Sequence, residues 1–242
     1  MAVRPFPLFV VRAFIEELGL HPSSNGLEKP CVRETLAEIE QGTDELEPCD
    51  ATRFRSIAAR VNYLSLDRPD LQFAAKELCR MMARPTTGCW GKLKRLARYL
   101  VNYPRLTVKF EDIGTVPSEV RVYSDSDWAG CLRTRRSTSG GCVTLNGTAI
   151  KTWSTMQPTI ALSSGEAELT AFVKAASEGT GVQSLARDLG LELSLVVVVD
   201  SSAAVGMVNR AGVGRVRHLD VKDLWVQERV KRGFFHNRQS AW

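Results

Sequence analysis

The sequence predicts an α/β protein, a mixed sheet flanked by helices and preceded by a small helical segment, and three observations carry that reading. Proline-bounded amphipathic stretches fill residues 53–103. Two strand-like runs, GGCVTLNG (140–147) and TAIKTWSTM (148–156), meet at Asn146-Gly147, a pair that closes hairpins. A long helical stretch then leads into LVVVV (195–199), a continuous apolar run that suits a strand buried on both faces.

Size and composition leave room for a real core: 242 residues, 44% hydrophobic, can form one large or two modest domains. No apolar run approaches the roughly 20 residues that span a bilayer, so no membrane partner is expected. The first residues are apolar but interrupted by Arg12, Glu16 and Glu17, with no small-residue cleavage site, which argues against a secretory signal. The expected location is intracellular, cytoplasmic or nuclear. Cys31, Cys49, Cys79, Cys89, Cys131 and Cys142 form no CxxC pair, and with three histidines no zinc spacing assembles. A net charge of +5 does not by itself define a nucleic-acid binder.

Residues 1–50 combine an amphipathic stretch near 8–20, a turn at HPSSNG and an acidic run from Glu34 to Glu47, and read as a flank of uncertain structure. Residues 51–112 read as a helical connector. One helix stops before Pro69, a second runs from Asp70 to before Pro85, and a third follows, because proline cannot continue a helix interior. Leu93, Leu96, Ala97, Leu100 and Val101 make the third helix's apolar face. Its basic residues Lys92, Lys94, Arg95 and Arg98 read equally well as a solvated face or as phosphate contacts.

Residues 119–242 form the expected α/β domain. VRVYSD (120–125) alternates and ends at Asp125, the hairpin follows, and a helix runs from Glu166 to about Leu189, where Gly190 stops it. The buried strand at 195–199 ends at Asp200, and a short helix extends to about Asn209.

Three carboxylates, Asp125, Glu168 and Asp200, lie at strand ends or at the head of the apolar stripe Phe172, Ala175, Gly179 and Val182, where a bare charge is costly. If the first and buried strands pair in parallel, Asp125 and Asp200 are neighbours and Glu168 covers them. Such a cluster suits divalent metal, Mg²⁺ with Mn²⁺ as the alternative, and metal-assisted phosphodiester hydrolysis. Each acid also has a plain explanation. Asp125 could end a strand in a turn, Asp200 could cap the following helix, and Glu168 could be a first-turn acid favoured by the helix dipole. Glu166, two positions back, falls on another face.

Taken in order, YSDSDWAG, TRRSTSGG, TWSTMQPTIALSSGEAEL, VVVVDSSAAV and RVRHLDVKDLWVQERVKRG resemble the ribonuclease H domain of copia-type (Pseudoviridae-like) retrotransposon Pol polyproteins. FRSIAARVNYLSLDRPDLQFAAKELCRMMARPTTGCWGKLKRLARYLVNYPRLTVKF resembles the segment that links reverse transcriptase to that domain. The resemblance covers roughly residues 50–235. It implies a ribonuclease H-like mixed sheet of five strands flanked by helices, with Asp125, Glu168 and Asp200 as metal-binding and catalytic acids. It also implies cleavage of the RNA strand of RNA–DNA hybrids, with the hybrid and the reverse transcriptase part of a polyprotein as partners. Compared with the family, the domain is expected to be C-terminally truncated, lacking its last strand and the helix that carries a fourth acid. Asp220 is a poor substitute for that acid, and its surroundings suit an exposed helix position. Nothing matches the Asp-Asp pair of a polymerase palm.

Around the acids, Arg133, Arg135, Arg136, Ser137 and Thr138 form a basic, hydroxyl-rich stretch suited to nucleic-acid phosphates. Trp128 and Trp153 could stack on a base or sugar, although an aromatic in or beside a hairpin strand more often lies in a core. A catalytically inactive nucleic-acid-binding remnant is the competing reading, and a structural connector packed on a polymerase through helix 92–103 is a third. Enzymatic activity stays open at this level.

Overall fold

The computed structural model describes residues 8–21, 23–108, 110, 114–212, 224–233 and 236–239. Asp220 lies outside the described residues. The chain divides into two compact units, 1–109 and 110–242. Among the described residues no helix is long and apolar enough to cross a membrane.

Unit 1 is helical: α1 (Leu8–Glu17), α2 (Leu36–Glu40), α3 (Pro48–Leu64), a 3₁₀ turn (Pro69–Leu71), α4 (Gln72–Cys79) and α5 (Thr87–Asn102). Pro48 sits at the start of α3, where its missing N–H costs nothing. Pro69 opens the 3₁₀ turn that separates α3 from α4. Phe54, Ile57 and Val61 of α3, Leu78 of α4 and Leu93, Leu96 and Leu100 of α5 share one core.

The boundary expected at residue 50 is not there. Val11, Phe14 and Ile15 of α1 lie in that same core. Glu34 accepts from Lys92 at 2.6 Å and from Arg80 at 2.9 Å, while Arg98 Nε donates to the Asn25 carbonyl at 2.8 Å. These bonds give α5 a role that neither sequence reading foresaw: two of its cations staple the N-terminal segment to the helix. Deeper in the unit, Arg68, 1% exposed, donates two bonds to Asp70 and one to the Tyr103 carbonyl. The Tyr99 hydroxyl donates to Asp70 as well, and burial with that carboxylate pushes its pKa up to about 12.

Unit 2 carries a five-stranded mixed sheet, ordered β3-β2-β1-β4-β5. Its strands are β1 (Glu119–Asp127), β2 (Thr138–Leu145), β3 (Thr148–Met156), β4 (Ser194–Val199) and β5 (His236–Gln239), with helices α6 (Ser164–Asp188), α7 (Ser202–Asn209) and α8 (Trp225–Lys231). β1, β2 and β3 pair antiparallel, while β4 runs parallel to β1 and β5 parallel to β4. This is a ribonuclease H-like α/β fold, as the sequence predicts. One expectation is corrected: the last strand, held to be missing, is present at His236–Gln239.

Local chemistry explains the elements. Asn146 and Gly147 have φ of 48° and 79°, the two positive values a tight hairpin turn requires. Ser163 caps α6 by accepting from Glu166 N, and Gly190, at φ 81°, closes the helix end as Leu191 N donates back to the Ala186 carbonyl. Val120 and Val122 of β1 and Leu195, Val197 and Val199 of β4 pack under Leu169, Phe172 and Ala175 of α6. At Gly179 a Cβ would come within 2.5 Å of Leu195 Cδ1 and 2.8 Å of Val122 Cγ2, so this glycine lets α6 lie close on β1 and β4.

Candidate metal centre

Register brings the first two acids together. Tyr123 pairs with Val198 in the parallel β1–β4 ladder. Continuing two residues along both chains sets Asp125 beside Asp200, about 4.8 Å apart across neighbouring strands. Glu168 comes from the second turn of α6 and is 8% exposed. One carboxylate oxygen from each of Asp125, Glu168 and Asp200 lies within 4.8 Å of the other two, so the structure brings all three predicted acids to one spot.

The plain explanations lose their footing. β1 continues through Asp127, so Asp125 lies inside a strand and not in a turn. Ser201, not Asp200, caps α7 by accepting from Ala204 N. The acid in the first turn of α6 is Glu166, whose Oε2 accepts from Leu162 N and ties down the preceding loop.

Two donors orient Glu168. Ser126 Oγ donates to its Oε1 at 2.6 Å, and Ser126 N donates to the same oxygen at 3.2 Å. The other oxygen, Oε2, is buried with no hydrogen-bond partner among the described residues, a costly state for a carboxylate without a cation. The electrostatics agree. Burial raises the Glu168 pKa, Ser126 opposes that rise, and Asp125 and Asp200 add to it. Burial also raises Asp125, with a bond from Ser126 N opposing and Asp200 and Asp127 adding. A partnerless buried oxygen, three carboxylates within reach of one point and a purely oxygen donor set fit a hard divalent cation of the Mg²⁺ or Mn²⁺ kind.

The predicted basic stretch divides. Arg133, Arg135 and Arg136 are exposed on the β1–β2 loop. Ser137 and Thr138 are buried and cannot join them at a phosphate. Ser137 Oγ accepts from Ala129 N at 2.9 Å, and Thr138 N donates to Asp127 Oδ1, so both serve the loop's shape. The tryptophans divide too. Trp153, 7% exposed, lies in the core against Gly141, whereas Trp128 is 52% exposed.

Ser126 and Asp127 escaped the sequence reading, yet a signal for the serine was present. Residues 120, 122 and 124 alternate into the buried face, and position 126 continues that series toward α6.

Comparison with known proteins places the chain. Over 187 residues it is 32% identical to the retrovirus-related Pol polyprotein from transposon RE2 of Arabidopsis thaliana, covering 76% of this chain and 13% of that protein. It is 31% identical over 165 residues to the corresponding polyprotein from transposon TNT 1-94 of Nicotiana tabacum, covering 67% of this chain and 12% of that one. An uncharacterized mitochondrial protein of Arabidopsis thaliana, AtMg00810, is 39% identical over 138 residues, 54% of each chain. No family model matches. The chain thus spans about one eighth of the Pol polyproteins it resembles. It is retrotransposon-derived and belongs to the retrovirus-related Pol polyproteins of the copia type.

Proposed function

We propose that unit 2 is a ribonuclease H-type endonuclease that hydrolyses the RNA strand of RNA–DNA hybrids with Mg²⁺ or Mn²⁺. The observation that carries this reading is the convergence of Asp125, Glu168 and Asp200 within 4.8 Å, with the Glu168 Oε2 buried and partnerless. Bound divalent metal would polarise the scissile phosphate and activate water. Asp125 and Asp200 offer the exposed carboxylates on the open side of the site, and Glu168 offers the buried one. Ser126 holds Glu168 Oε1 by two bonds and so leaves Oε2 for the cation. Arg135 and Arg136, exposed on the neighbouring loop, suit the backbone phosphates of the duplex. Within a polyprotein, unit 1 would join this domain to a reverse transcriptase part.

The test is cleavage of an end-labelled RNA–DNA hybrid by the purified full chain. Mg²⁺-dependent cutting of the RNA strand that is lost in Asp125→Asn supports the proposal. Salt-sensitive hybrid binding without hydrolysis, and with no metal effect on melting, would replace it with the non-catalytic reading.

A further inference from the structure

We infer that Trp128 is a stacking platform for a nucleotide of the substrate strand beside the acid cluster, an assignment that rests on the nuclease reading above. An exposed indole is uncommon on a soluble surface, and this one is built into place. Its Nε1–H donates to the Ala161 carbonyl at 3.0 Å, which fixes the ring against the loop before α6. Ala129, the next residue, holds φ at 52°, a left-handed conformation costly for a residue with a Cβ. That turn is sustained from both sides. Ala129 N donates to buried Ser137 Oγ, and Gly130 packs so tightly that a Cβ there would come within 2.2 Å of Asp127 Oδ2. The turn that carries Trp128 is thereby tied to the base of its own loop.

The surroundings specify the occupant. Ile160 and Leu162, flanking the Ala161 that receives the indole bond, are 51% and 68% exposed, so the loop that holds the ring also presents apolar side chains to solvent. Arg135 and Arg136 are exposed on the same β1–β2 loop. Three residues upstream of Trp128, Asp125 belongs to the acid cluster. An exposed aromatic face on a loop that also carries two exposed arginines and leads out of the strand bearing Asp125 matches a nucleic-acid strand, whose bases stack and whose phosphates pair with arginine.

The experiment uses the full chain carrying Asp125→Asn, so that no strand is cut during titration. An end-labelled RNA–DNA hybrid is titrated by fluorescence anisotropy, and tryptophan emission is followed in parallel. Trp128→Ala should weaken hybrid affinity on the order of 10- to 100-fold. Trp128→Phe should keep affinity within a few-fold while losing the hybrid-induced quenching of tryptophan emission, a readout that a merely structural role would not move. Affinity for Mn²⁺ by calorimetry, measured in the Trp128 variants without Asp125→Asn, should stay at the wild-type value. Affinity in Trp128→Ala within about twofold of the parent, or full quenching in Trp128→Phe, overturns the platform. So does self-association on gel filtration that is lost in Trp128→Ala while hybrid binding persists, which would make the ring a contact between copies. If the Asp125→Asn chain binds no hybrid even at low salt, the nuclease reading falls with the platform. Hybrid binding indifferent to Trp128 sinks the platform alone.

Discussion

Replacing Glu168 with glutamine should make the metal-free protein more stable while destroying its response to Mg²⁺. At 4.8 Å, each carboxylate pair involving Glu168 costs about 0.9 kcal/mol in water and about 3.5 kcal/mol at an effective dielectric of 20. Asp125 and Asp200 are exposed, so the lower end governs, about 1 kcal/mol for each neighbour. Glutamine keeps an oxygen to accept from Ser126 and removes the buried charge. The transition of unit 2 in EDTA at neutral pH should therefore rise by roughly 5–8 °C. The same argument has a pH form. Burial and like charge raise the folded-state pKa of Asp125 and Glu168 above their ordinary 3.8 and 4.5. Between those values and the raised ones the folded chain binds more protons than the unfolded chain, so stability falls as pH rises through this window. The deficit is complete above the folded-state values and is relieved by acid or by a cation. Thermal melting by circular dichroism, at mildly acidic and neutral pH, with EDTA or Mg²⁺, reads all of this. The wild type should gain from acid and from Mg²⁺, and Glu168→Gln from neither to the same extent. A variant that melts below the wild type in EDTA, or gains as much from Mg²⁺, would refute the reasoning.

Other perturbations test neighbouring parts. Ser126→Ala should lower Mn²⁺ affinity by calorimetry on the order of 10- to 100-fold, since it removes the bond that turns Glu168 toward the site, and Ser126→Thr should recover part of it. Arg68→Ala strands Asp70 beside a vacated buried site and should destabilise unit 1 by roughly 3–5 kcal/mol in urea unfolding. Gly141→Ala places a Cβ within 2.0 Å of Trp153 Cζ2, and should cost unit 2 roughly 1–3 kcal/mol with a change in the near-ultraviolet signal of that ring.

Much of this fold was legible because its punctuation is local. Pro69, Pro85, Asn146-Gly147 and Gly190 act within a few residues, and the end of α3, the start of α5, the hairpin turn and the end of α6 lie near them. The acids were legible because LVVVV forces Asp200 to a strand end and helical spacing puts Glu168 over it. What escaped depends on distant partners. Glu34 finds Arg80 and Lys92 across 46 and 58 residues, so the acidic run 34–47 read as a flank when part of it is a staple. β5 is the polar run HNRQ, four residues without apolar alternation, and only its pairing with β4 makes it a strand. Ser137 and Thr138 read as surface hydroxyls because sequence does not show a loop folding back over its own base.

The staple between the N-terminal segment and α5 bears on how this chain tolerates cutting. A version beginning at residue 51 would lose Val11, Phe14 and Ile15 from beneath Leu93, Leu96 and Leu100, opening an apolar seam. It would also remove Glu34, taking a carboxylate from both Lys92 and Arg80. Shortened forms should precipitate, and a protease added to the intact chain should leave this link uncut for as long as unit 1 stays folded.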